Sequence, residues 1–171
     1  ANEVDKAVLI QFRGAYDNSY LLDCVKNYPG TFSAVVIVDT AASDGPEKLH
    51  QWVGQGAEGI RLAATDRSPG DDPLAIWRKA DELGVAVSVL ASVEDYAAPP
   101  FEAIIKELPN LKVVIEHLGG VGAHWGPGRS DPTIPLETYQ KVLALAQYPN
   151  TYMKVHGFGE FCARPVPLVL P

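Results

Sequence analysis

Two residues in this sequence combine a reactive side chain with an apolar setting. His117 closes the run Lys112-Val-Val-Ile-Glu-His117-Leu-Gly-Gly120. Continuous Val/Ile there reads as a buried parallel strand, and the glycines as the break that follows it. An imidazole at such a strand end can move a proton, polarise a carbonyl or bind a metal. The competing reading is a histidine satisfied by a neighbouring carbonyl. Arg61 stands inside Gly59-Ile-Arg61-Leu62, where a charge is costly without an anionic partner. It either pairs with a carboxylate of its own chain, such as Asp39, or offers its guanidinium fork to a substrate carboxylate or oxyanion. The second reading is preferred because the planar fork matches two oxygens at once.

Other polar groups follow similar runs. Gln11 and Arg13 come just after Ala7-Val-Leu-Ile10; Gln11 is read as a substrate contact, and Arg13 as solvent-exposed unless it reaches the same mouth. His156 alternates to the same side as Lys154 at the end of the last run. His124 and Trp125 lie in the Gly/Pro-rich stretch from Gly119 to Ile134, where substrate contact competes with plain loop packing. Asp39-Thr40 reads as a turn opening, His50 as solvent-facing on a helix, and Lys154 and Glu160 carry no assigned role. Gly119-Gly120-Val-Gly122 lacks both the Lys-Ser/Thr of a phosphate loop and the spacing of a dinucleotide site. Its glycines are read as allowing a sharp turn beside a ligand.

What must position these groups is a repeat of strand and helix. Apolar runs begin at residues 7, 32, 59, 85 and 113, at intervals of 25 to 28 residues, with a sixth at 152. This is the spacing of a strand plus a crossover helix. Helical patterns fill the gaps at 17–27, 43–53, 73–83, 100–108 and 135–148, with Asp72 as a cap and Gly84 as a stop. No linker divides the chain, so residues 1–171 read as a single domain of about six β/α units. The alternatives are part of a (β/α)8 TIM barrel or an open doubly wound parallel sheet.

Composition narrows the partners. The chain has 171 residues and a formal net charge of -7 without any Lys/Arg run, which argues against nucleic-acid and anionic-membrane surfaces. It lacks an apolar stretch of spanning length, and Ala1-Asn-Glu-Val-Asp5 lacks the pattern of a signal peptide. Cys24 and Cys162 form no metal-like pair; Cys24 is read as core packing and both as reduced thiols of a cytoplasmic protein. A small-molecule substrate is the expected partner, with self-association left open.

Several motifs in order carry a resemblance: Asp17-Asn18, Tyr28-Pro29-Gly30-Thr-Phe32, Gly56-x-x-Gly59-Ile-Arg61-Leu, Trp77 with Leu83-Gly84, Val114-Ile115-Glu116-His117-Leu-Gly119, and Tyr152-Met-Lys154. Together they resemble the amidohydrolase-related metal-dependent hydrolases of TIM-barrel fold, in the branch of 2-pyrone-4,6-dicarboxylate lactonase. The resemblance implies that the chain spans strands two to seven of an eight-stranded barrel, the length of 171 residues falling short of the roughly 250 of a complete one. It lacks the His-x-His pair of the family's first strand and the Asp of its eighth, and carries Arg61 and Ser88 or Leu90 where binuclear members hold a Lys and a His.

The resemblance therefore implies a hydrolase of a small anionic lactone or related carbonyl compound, with this chain incomplete and inactive alone. Arg61 and His117 would be catalytic, and Arg61, Gln11, His124, Trp125 and His156 would contact substrate. His117 would be the matched candidate ligand for a divalent metal, zinc or manganese, in a complete parent, while metal-independent relatives leave no metal as the other outcome. Nonoxidative decarboxylation of an aromatic acid and a non-catalytic barrel scaffold are the alternative functions.

Overall fold

The computed structural model describes residues 4–121 and 135–155. Within them the apolar runs become six strands: β1 (Ala7–Ile10), β2 (Phe32–Val36), β3 (Ala57–Ala63), β4 (Ala86–Leu90), β5 (Val113–Ile115) and β6 (Thr151–Met153). All neighbours pair in parallel, in the order β1-β2-β3-β4-β5-β6. This order excludes the doubly wound alternative, which requires a point where the strand order reverses. With every crossover of the same hand and the same direction, the helices fall on one face and the sheet curls into a half-barrel.

The helices form where the pattern places them. They are α1 (Ser19–Asn27), α2 (Gly45–Gly54), α3 (Ala75–Glu82), a short α4 (Val93–Tyr96), α5 (Pro99–Glu107) and α6 (Leu136–Ala144). Helix α3 starts later than the Asp72 cap suggests, yet Asp72 still accepts the N–H of Leu74 at 3.0 Å. Gly84, at φ 68°, closes the helix in the left-handed region that glycine tolerates. Helix α4 was not legible in the periodicity: it is one turn begun by Ser92, whose hydroxyl accepts the N–H of Asp95 at 3.1 Å. Cys24 is half-buried on α1 and lies outside the core cluster, contrary to the core role expected for it.

Strand alternation divides the two faces of the sheet. Ala34, Val36, Ile60, Leu62, Val87, Val89, Val113 and Ile115 turn outward and pack beneath Leu49, Ile76, Trp77, Phe101, Ile104 and Ile105 of the helices. The alternate residues face the inside of the curl. Among the described residues no helix is long and apolar enough to cross a membrane.

Candidate functional site

Parallel register sets the inner row that matters. Arg61 pairs with Ser88, Ser88 with Val114, and Val114 with Tyr152. Two residues further along β5 and β6, on the same face, come Glu116 and Lys154. The Glu116 side chain is 2% exposed and collects its neighbours from three strands. Arg61 donates to Oε2 from Nη2 at 2.6 Å and from Nε at 3.2 Å. Ser88 Oγ and Lys154 Nζ donate to Oε1 at 2.6 and 2.9 Å, and Lys154 also donates to Ser88 at 2.9 Å. Burial pushes the Glu116 carboxyl upward, but the hydrogen bonds from Ser88, Lys154 and Arg61 outweigh it and hold the group below the ordinary carboxylate range. Two cations on one buried carboxylate leave a local surplus of positive charge.

Beneath this cluster Tyr96 is fully buried. Its hydroxyl donates to the Val89 carbonyl and accepts the N–H of Glu116 at 3.1 Å. Burial raises the Tyr96 pKa strongly, so it serves as a neutral hydrogen-bonding post.

Directly after Glu116 the backbone turns left-handed. His117 and Leu118 have φ 51° and 49°, and Gly119 and Gly120 have φ 75° and 82°. A non-glycine residue in that region costs on the order of 1 kcal/mol and persists only where its surroundings hold it. Here the N–H groups of Gly119 and Gly120 reach the Glu116 carbonyl at 3.0 and 3.3 Å, and Leu118 N donates to Lys154 O at 3.0 Å. Tyr139 of α6 donates its hydroxyl to Leu118 O at 2.9 Å. Gly120 is obligatory for space as well, because a Cβ would stand 2.8 Å from Ala91 O and Val93 N.

The turn brings His117 to the mouth of the curl, with Nε2 at 3.6 Å from Glu116 Oε2. His117 and Arg61 line one cleft of about 540 Å³ with Phe12, Arg13, Ala63, Thr65, Leu90, Ala91, Ser92 and Asp95. A smaller lobe of about 100 Å³ continues past Arg61 toward Tyr16 and Asp66. Arg13, expected at the surface, is exposed and lines both lobes. The arrangement suits an anionic ligand with a polarisable carbonyl, since Arg61 is fixed by a carboxylate and yet reaches the cleft.

The expected residues are distributed unevenly. The partner of Arg61 is Glu116, whereas Asp39 accepts the N–H of Ala41 at 3.0 Å and opens a turn. Gln11 is buried and braces its own loop: its Nε2 donates to Asp17 O at 2.6 Å, its Oε1 accepts Phe12 N at 2.8 Å, and it does not line the cleft. Asn18 does similar work, bridging to Ile37 N and O at 3.1 and 2.9 Å. His124, Trp125 and His156 lie outside the described residues. Sequence reasoning missed Glu116 and Lys154. The one signal for Glu116 was a carboxylate at the end of an apolar run, which needs cationic company as much as Arg61 does.

The divalent metal implied by the family resemblance does not fit the residues described. Both oxygens of Glu116 are engaged by donors, and the two cations held on it would repel a third beside His117. Among the described residues, no group of three or more His, Cys, Asp and Glu could hold a metal ion.

Comparison with known proteins agrees with this architecture. A family model described as Amidohydrolase matches residues 1–168. The fold is similar to that of a probable 2-pyrone-4,6-dicarboxylic acid hydrolase from Acinetobacter baumannii with citric acid bound, at 24% identity and a TM-score of 0.72 over 95% of this chain and 58% of that one. It is also similar to a candidate 2-pyrone-4,6-dicarboxylic acid hydrolase from Pseudomonas putida, at 23% identity and a TM-score of 0.65 over 95% and 57% of the two chains. A third relative in structure is an amidohydrolase from Burkholderia multivorans with bound HEPES, at 18% identity and a TM-score of 0.61 over 87% and 53%. At these identities the likeness is one of fold. The chain spans less than three-fifths of the length of each of these structures. No curated protein sequence matches it.

Proposed function

The chain belongs to the amidohydrolase family, and from that premise we propose that it forms the larger part of the barrel of a hydrolase acting on a small anionic lactone or related carbonyl compound. The observation that carries this reading is Arg61. Its guanidinium is fixed on Glu116 through Nε and Nη2, keeps Nη1 without a hydrogen-bond partner among the described residues, and lines one cleft with His117. A fork held in this way is preorganised for a carboxylate or an oxyanion.

Water attacking a lactone carbonyl builds negative charge on the carbonyl oxygen; collapse of the adduct breaks the ring ester bond and leaves a carboxylate and a hydroxyl. In this reading Arg61 pairs with the substrate carboxylate or the developing oxyanion, and His117 polarises the carbonyl. The base that takes the proton of the attacking water comes from strands of a parent protein that close the barrel, so the chain alone is inactive. The two relatives described as dicarboxylic acid hydrolases, one holding citric acid, support an anionic substrate of this kind.

The test is kinetic, in a parent protein containing the closing strands. Arg61→Ala should lower kcat/KM for a carboxylated lactone by about ten- to a hundredfold, the worth of one charge-assisted hydrogen bond, and should affect the uncharged methyl ester far less. Equal losses on both would mean that Arg61 only supports the strand.

A further inference from the structure

We infer that Tyr139 is a positioning residue for His117, acting through the left-handed turn that runs from His117 to Gly120. The inference rests on the proposed role of His117 in the cleft, and names what holds it there.

Four consecutive residues with positive φ, two of them carrying side chains, do not persist by local preference. The N–H bonds to Glu116 O and Lys154 O fix the inner side of the turn. The outer side is fixed by α6, where the Tyr139 hydroxyl donates to Leu118 O at 2.9 Å. The Tyr139 ring covers Gly119, its Cε2 only 3.3 Å from where a Cβ would stand, with Val142 Cγ1 at 2.7 Å. The carbonyl that the Tyr139 hydroxyl holds belongs to the residue next to His117. Release of that carbonyl lets Leu118 relax toward ordinary backbone angles, and this rotation swings His117 away from Arg61.

The experiment is imidazole NMR on the chain, following the His117 ring with and without citrate as an anionic probe, in wild type, Tyr139→Phe and Tyr139→Phe/Leu118→Asn. Asparagine tolerates the left-handed region better than leucine, so the double variant restores the turn without restoring the hydroxyl. Tyr139→Phe is expected to move the His117 ring resonances and to weaken citrate binding about five- to tenfold, the equivalent of one neutral hydrogen bond. The double variant is expected to recover both. His117 resonances unchanged in Tyr139→Phe would overturn the inference, and so would failure of the double variant to recover them, because the hydroxyl would then act other than through the turn. A wild-type chain that ignores citrate would count against the anion site, while the ring resonances without citrate would still decide the role of Tyr139.

Discussion

Glu116 and Arg61 meet across the full width of a strand. One directly follows β5, the other lies in β3, and their side chains pass over Ser88 of β4 to join at 2.6 Å. Arg61, Ser88 and Lys154, which donate to the carboxylate, come from three separate segments of the sheet, so the cluster reports on the curl of the sheet as well as on the chemistry of the cleft.

Glu116→Gln should therefore destabilise the chain by about 3 kcal/mol, the usual consequence of leaving buried cations without their counter-charge. Lys154→Met removes a half-exposed partner and should cost about 1 kcal/mol or less. Urea denaturation of both variants, followed by far-UV circular dichroism, gives the order; a larger loss for Lys154→Met would contradict the central place of Glu116.

The same carboxyl sets an acid limit. Its pKa is lowered from 4.5 in the folded chain, so the folded state binds this proton less readily than the unfolded one. The stabilisation is complete above about pH 4.5 and is lost as pH falls through the lower folded value. Urea midpoints measured from about pH 7 to about pH 3 should drop in the acid range, and the Glu116→Gln profile should be flatter over that interval.

Two glycines separate strain from crowding. At Gly84, with φ 68° and nothing within 4 Å of an added Cβ, alanine should cost about 1 kcal/mol from backbone strain alone. At Gly120 the same φ penalty is joined by contacts of 2.8 Å with the backbone of the loop after β4, and alanine should cost about 3 kcal/mol or more. Thermal unfolding of the two variants checks the ranking.

Among the described residues the sheet ends at β1 on one side and at β6 on the other. Val8 at one edge is 57% exposed, and Tyr152 and Val155 at the other are 53% and 65% exposed. Unpaired strand edges with apolar side chains template association, so the isolated chain should self-associate as concentration rises. Size-exclusion chromatography with light scattering would show a mass that grows with loading. A constant monomer mass would mean that the edges are protected within the chain itself.

The repeating elements were legible in the sequence because their cause is local. Continuous Val/Ile marks a strand buried on one face by helices, and a proline at the start or a glycine at the end marks a helix limit within a few residues. His117 was legible for the same reason, since the run ends and the glycines begin beside it. The periodicity alone left strand order open, because a doubly wound sheet and a half-barrel use the same alternation of elements and differ only in which neighbours pair; it was the family resemblance that implied the barrel. Arg61 announced that it needed an anion, but its partner lies 55 residues away, and those of Glu116 on β4 and β6 lie 28 and 38 residues from it. Only parallel register brings these side chains onto one inner row. The left-handed turn was hidden too, because leucine and histidine do not choose positive φ for themselves; the hydrogen bonds of Lys154 and Tyr139, set by packing between distant segments, decide it.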